Sequence, residues 1–418
     1  MTIRTGDRQL IKELNIALVM NVIRQRGFIS RVDISECTGL GRSTVTGIIN
    51  TLIKEGLVTE AGSAESPLGR KPVLLTMNAR AYYAVGIKLG PKRLTVALVD
   101  LNGTVQHIEE AILNSARGAE DRVAAIRQCL ESIESQKGIS TDKILGAGVV
   151  MPGVVNPSSG TAVASYFLGW ANVPIRDILE RELEMPVYVD NDANAMALAE
   201  TLHGAGHGAD DVLALTVGVG IGAGVIIGGR IHRGARFSAG ELGHTCVEPN
   251  GPMCVCGRRG CLEAVAADAA IVRRAREEVD AGRSELLKSL ARGHVELITR
   301  ELVVEAAHEG DLGAQAVLAE SGRWLGLAIG NAVNLLSPAR VVVGGEAVIQ
   351  AGDLILGPMR ETMAAIVFPS LPEVPVVRSM LGSNAWVQGA AALVLDAAFQ
   401  VPIHQHDTSS MAQRIGQS

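Results

Sequence analysis

The most specific chemistry in this 418-residue chain lies between positions 244 and 261. His244, Cys254, Cys256 and Cys261 stand in the spacing H-x9-C-x-C-x4-C. One imidazole and three thiolates make a closed tetrahedral donor set, typical of one structural Zn(II) per chain. Gly257 and Gly260 let the backbone fold tightly around an ion. Buried free thiols are the competing reading. Cys246 is a spare thiol in the same loop and a rival of His244 for the fourth place. In a cytoplasmic chain such a cluster argues for a metal rather than for disulfides.

Polar residues suited to a polyhydroxylated ligand surround this loop. Residues 187–190 read as a strand that ends in Asn191 and Asp192, followed by Asn194 and a helix. Glu241 and His244 sit in a Gly-flanked loop, and Glu263 follows the last cysteine. Carboxylates, amides and imidazoles can each pair with one or two hydroxyls, so the set reads as a sugar pocket. A lone carboxylate is usually solvated, but these stand beside Gly-rich or metal-tethered turns. The run Gly218-Val219-Gly220-Ile221-Gly222-Ala223-Gly224 fits a phosphate loop and close strand packing equally well.

These groups need elements to hold them. Residues 8–26 repeat apolar positions at helical spacing (Leu10, Ile11, Leu14, Leu18, Val22). Ser30 opens a second helix over 32–37 with an acid three residues on. A Thr38-Gly39-Leu40 turn leads to a third helix over 42–54. Helix, Gly-containing turn, helix is the helix-turn-helix pattern. Strands at 57–59 and 73–76 around a polar stretch add a wing. The start of the third helix carries Arg42, Ser43, Thr44, Thr46 and Gly47, short or basic groups able to approach phosphates and base edges. A three-helix bundle that binds protein is the alternative. Arg70 and Lys71, between Gly69 and Pro72, suit an A·T-rich minor groove or a plain linker.

Charge supports a split chain. The net charge is −6, yet residues 1–80 hold 11 Lys+Arg against 7 Asp+Glu. A basic head on an acidic body fits nucleic-acid binding. From residue 82, strand-like runs alternate with helical stretches such as 119–134, giving an α/β body in two lobes. The expected division is 1–67 for the winged head and 68–80 for the wing end and linker. The body takes 81–396, with lobes over roughly 81–191 and 192–396, and 397–418 form a polar tail. No apolar run reaches the roughly 18 residues of a membrane span, and the N-terminus lacks a signal-like stretch, so the expected location is cytoplasmic.

With these motifs in place, the chain resembles the ROK family of repressors, uncharacterised frames and sugar kinases over essentially residues 8–396. ELGH and CVCGRRGCLE within 241–263 are similar to its zinc and sugar signature. VDNDANAMALAE at 189–200 resembles its catalytic-strand motif, and residues 30–58 resemble the operator-binding head of its repressor branch. The resemblance implies a ribonuclease-H-like, actin-type pair of lobes behind the winged helix-turn-helix. It implies a sugar held by Gly153, Asn191, Asp192, Glu241, His244 and Glu263, with His244 touching both sugar and zinc. It also implies a homodimer, or a dimer of dimers, on operator DNA, and admits a sugar-transport protein as partner.

The chain departs from the family kinases where they handle nucleotide. Their Asp-x-Gly-Gly-Thr-Lys turn becomes Lys88-Leu89-Gly90-Pro91-Lys92-Arg93. Val219 replaces a Thr, and Glu346 follows Gly344-Gly345 where a third Gly is usual. The expectation is a sugar-controlled repressor, not an enzyme, with no ATP bound and no catalytic residue. The alternative is a bifunctional ATP-dependent sugar kinase with a DNA-binding head.

Overall fold

The computed structural model describes residues 8–63, 72–113 and 118–399. Arg70 and Lys71 lie outside the described residues, as do 64–69, 114–117 and the tail from 400.

The head is built from α1 (Arg8–Arg26), β1 (Ile29–Ser30), α2 (Arg31–Thr38), α3 (Arg42–Lys54), β2 (Val58–Ser63) and β3 (Val73–Met77). Ser30 starts α2 through a complete capping box. Its Oγ accepts the Asp33 N–H at 3.2 Å, and the Asp33 carboxylate accepts the Ser30 N–H at 3.3 Å. Gly39 ends α2 in the left-handed region, at φ 69°. Val45, Ile49 and Leu52 of α3 are buried against Ile16, Met20 and Ile23 of α1 and Leu75 of β3. The hairpin β2–β3 gains β1 as a third strand, in the order β1-β3-β2. This is a winged helix-turn-helix.

The expected face of α1 is corrected. Ile11 and Leu18 are exposed, and Leu10, Glu13, Ile16, Ala17, Met20 and Ile23 face inward. α1 carries apolar residues on several sides, so spacing alone does not choose which row is covered.

The body holds two five-stranded sheets with one topology. The first comprises β4 (Tyr83–Leu89), β5 (Arg93–Asp100), β6 (Val105–Ile112), β7 (Ile144–Met151) and, after β8 (Val154–Asn156), β9 (Thr161–Ser165) and β10 (Trp170–Val173), β11 (Val187–Asn191). Its order is β11-β7-β4-β5-β6, with β4, β5 and β6 antiparallel and β7 and β11 parallel to β4. α4 (Ala119–Lys137) and α5 (Ile175–Leu183) pack on this lobe.

After α6 (Asp192–His203), the second sheet contains β12 (Val212–Val217), β13 (Ile221–Ile227), β14 (Arg230–Ile231), β15 (Arg340–Gly344) and β16 (Val376–Arg378). Its order, β14-β13-β12-β15-β16, repeats the first. Between β14 and β16 come α7 (Leu262–Ala266), α8 (Asp268–Asp280), α9 (Glu285–Leu290), α10 (Arg300–His308), α11 (Leu312–Leu336), α12 (Glu346–Ala351) and α13 (Asp353–Ile366). Two such sheets facing across a cleft are the ribonuclease-H-like, actin-type arrangement. β8, β9 and β10 form a separate three-stranded sheet on the first lobe.

The last helix, α14 (Ala385–Phe399), corrects the simple split at 191/192. It returns to pack on β4 and β7 of the first sheet and against α6. Small residues make this possible. A Cβ at Gly148 would stand 1.8 Å from the Ala390 carbonyl oxygen, and one at Gly389 would stand 1.9 Å from that of Ala195. Many glycines here serve close helix approach rather than the strand-to-helix turns that composition suggests.

Gly148→Ala is therefore expected to lower stability by about 1–3 kcal/mol or more through overpacking. Gly47→Ala, on an open helix face with nothing within 4 Å of the added carbon, is expected to raise it by about 0.5–1 kcal/mol. Thermal melting of both variants checks the pair.

Candidate functional site

The loop between β14 and α8 holds a compact cluster. One ligand atom from each of His244, Cys254, Cys256 and Cys261 lies within 4.8 Å of the others. Cys256 Sγ and Cys261 Sγ are 3.6 Å apart, as are Cys254 Sγ and His244 Nδ1. Four donors about 2.3 Å from a common centre stand at such separations. The set therefore fits a tetrahedral divalent ion. Cys246 is exposed and outside the cluster, which removes it as a rival of His244. Burial opposes ionisation of Cys256, yet hydrogen bonds from the Arg258 backbone and side chain bring its thiol down to about 6.

His244 faces two ways. Its Nδ1 points to the thiols, while Nε2 lies 4.0 Å from Glu241 Oε2. Burial raises the Glu241 carboxyl above the usual range, His244 opposes this, and the nearby charges of Glu263 and Asp192 add to it. The fold thus gathers Asp192, Glu241, His244 and Glu263 from separate chain segments. Glu263 is buried, and its Oε2 accepts the Ile221 N–H at 3.0 Å.

Asn191 and Gly153 are also brought together, as framework. The Asn191 side-chain oxygen caps α6 by accepting from Ala193 and Asn194. Its Nδ2 donates to the Gly153 carbonyl at 2.9 Å. One N–H of that amide remains for a ligand. Of the glycine run, Gly222 and Gly224 pack against Ala193 and Ala197 of α6, which is the close-packing reading.

Two cationic groups that no motif marks, Arg233 and Arg300, join Lys88, the departure in the kinase-type turn. Arg233, on the loop after β14, grips buried Asp190 of β11 through Nε at 2.8 Å and Nη2 at 2.6 Å. Asn194 Nδ2 donates to the same carboxylate at 2.9 Å. The pair anchors the strand end that presents Asn191 and Asp192. Lys88 sits in β4 with its ammonium 3.2 Å from the centroid of the Trp386 ring. Burial pulls the Lys88 pKa down, and Asp192 and Glu346 push it back up. Arg300 is buried and reaches Asp268 at 2.9 Å and Glu346 at 3.4 Å. The Asp268 N–H donates to the Gly218 carbonyl, so this ionic group links the loops at 218–220 and 344–346. Each of these cations finds its partner in a distant segment, so spacing gives no sign of the contact.

In the head, Arg42, Ser43, Thr44, Thr46 and Gly47 are all exposed on the first turns of α3, opposite its buried face.

Removing Arg233 leaves Asp190 buried and charged. Arg233→Ala is expected to cost about 3–5 kcal/mol, read by denaturant unfolding.

Comparison with known proteins shows what the chain is similar to. The family model described as "ROK family" matches residues 84–397. The chain is 34% identical over 401 residues to the xylose repressor of Caldicellulosiruptor bescii, covering 95% of this chain and 99% of that one. It is also 34% identical to the N-acetylglucosamine repressor of Escherichia coli O157:H7, covering 96% and 97%. A crystal structure of a ROK family transcriptional regulator, a homologue of the Escherichia coli MLC protein, superposes with a TM-score of 0.82 at 29% identity, covering 98% and 100%. A ROK family glucokinase from Streptomyces griseus, in complex with glucose and AMPPNP, gives 0.68 at 31%, covering 74% of this chain and 98% of its own.

Proposed function

The chain belongs to the ROK family, and from that premise we propose that it is a transcriptional repressor whose grip on operator DNA is controlled by a sugar. The observation that carries this reading is the joining, in one chain, of an exposed polar α3 face to a body in which Asp192, Glu241, His244 and Glu263 converge. Full-length similarity to repressors supports it.

The head would bind as a homodimer, because one helix-turn-helix reads only a half-site. Arg42 would reach a base edge or phosphate. In the cleft, Asp192 and Glu263 would accept sugar hydroxyls as charged acceptors, stronger than neutral ones. Zinc on the three thiols and His244 Nδ1 would fix the imidazole's orientation, leaving Nε2 for Glu241 and the ligand. The ion's part is structural.

Sugar would act by favouring one lobe arrangement over another. α14 offers a route to the head. Its Trp386 end meets Lys88 at the cleft. At its other end, the Phe399 carbonyl accepts Asn21 Nδ2 of α1 at 2.8 Å, and Arg24 stacks over the Phe399 ring at 5.0 Å. A shift of α14 is a shift of α1.

Likeness to the glucokinase favours a second reading, sugar phosphorylation. The site chemistry opposes it. Catalysis of phosphoryl transfer rests on positioning and charge neutralisation around the nucleotide. Here Lys88 stands where the family kinases have an acid. Pro91 lacks an amide donor. Glu346, which follows Gly344-Gly345, puts an acid there and pairs with Arg300 at 3.4 Å.

Calorimetry with monosaccharides is expected to show binding that Asp192→Asn and Glu263→Ala weaken, with no sugar-dependent ADP release in a coupled assay. Sugar-dependent ADP release contradicts the repressor-only reading. In gel shifts on an A·T-rich, pseudo-palindromic operator, Arg42→Ala is expected to cost about 1–3 kcal/mol of specific affinity. Equal wild-type affinity for random DNA contradicts the operator reading.

A further inference from the structure

We infer that Phe167, at the tip of the β9–β10 hairpin, forms one wall of the sugar site and sets which sugar the cleft accepts; this rests on the sugar-binding reading above. The small sheet that carries Phe167 begins at the cleft. β8 follows Gly153, whose carbonyl is held by Asn191. Gly153 backs directly onto β9, since a Cβ there would stand 2.2 Å from the Ala164 carbonyl oxygen. The hairpin therefore has its base at one candidate sugar residue.

Its tip reaches another across the cleft. A Cβ built on Gly220 would meet Phe167 Cζ at 3.3 Å and Cε2 at 3.5 Å. The same point lies 2.7 Å from Glu263 Oε2. A ring from the first lobe thus stands beside a buried carboxylate of the second, with only a glycine between them. Gly220 leaves the space that the ring and the carboxylate share.

The chemistry fits a pyranose. Such a ring carries hydroxyls around its rim and C–H bonds on its faces. Asp192, Glu241, His244 and Glu263 are polar and serve the rim. Phe167 supplies an apolar surface for a face, and aromatic side chains with a few placed polar groups are the usual lining of small-molecule sites. It remains 36% exposed, so the ring is reachable from the cleft rather than sealed in the core. A hydroxyl that turns axial projects from the face such a wall would cover, so the wall separates epimers that offer the same number of hydroxyls. Tyr166, next to it, is 70% exposed and serves as a neighbouring control.

The test is calorimetry of the full-length protein against glucose, mannose, xylose and N-acetylglucosamine. Phe167→Ala is expected to weaken the tightest sugar by about ten-fold or more and to shrink the ratio between the tightest and the next. Phe167→Tyr, which keeps the ring, and Tyr166→Ala are expected to preserve both affinity and ratio. The ratio is the readout that a general loss of fold does not move. Wild-type affinities and ratios in Phe167→Ala overturn the assignment of Phe167 while leaving the sugar reading intact. A wild-type protein that binds none of the four overturns the sugar reading and this inference with it.

Discussion

The two-faced imidazole of His244 is the constraint on which the cleft depends. Its Nδ1 belongs to the thiol cluster and its Nε2 to the carboxylates. The loop that carries it has little regular structure, only a 3-10 turn at 242–244 and isolated bridges at Cys246–Cys261 and Met253–Arg259. A loop of this kind needs a cross-link to hold two carboxylates in place. Three thiols and one ring nitrogen within 4.8 Å supply the donors for one. Glu241 precedes the cluster and Glu263 follows it, so whatever orders the cluster orders both.

The remaining architecture carries that order outward. The sheets repeat one strand order, and the chain crosses between them at α6 and again at α14. These helices meet through alanines and glycines, where backbone touches backbone. Packed interiors transmit displacement because they compress little. At one end of α14 lies Trp386, under Lys88; at the other lies Phe399, under Arg24 of the DNA-facing head. Near the same cleft Lys88 lies over the Trp386 ring, and Arg300 pairs with Asp268 and Glu346. No helix among the described residues is long and apolar enough to cross a membrane.

Much of this was legible in the chain itself. The helix starts at Ser30 and Arg42 follow from local capping and turn chemistry, which act over a few residues. The cluster of His244, Cys254, Cys256 and Cys261 follows from spacing, because all four lie in one loop. What stayed hidden depends on distant pairs. β1 is two residues long and exists only because β3 is beside it. The Arg233–Asp190 clamp joins positions 43 residues apart. The return of α14 to the first sheet rests on glycines whose use appears only when the opposing carbonyl is in place. The covered face of α1 departs from its apolar spacing because tertiary packing, not helical period, selects among its apolar rows.

A single unit formed by the metal-type cluster and the sugar cleft, joined at His244, has a measurable consequence. The direct measurement is sugar affinity by calorimetry on full-length protein before and after zinc is stripped with a chelator, and again after zinc is restored. The account predicts that affinity falls by about ten-fold or more on stripping and returns on reloading. Equal sugar affinity in the stripped and zinc-loaded protein would contradict it.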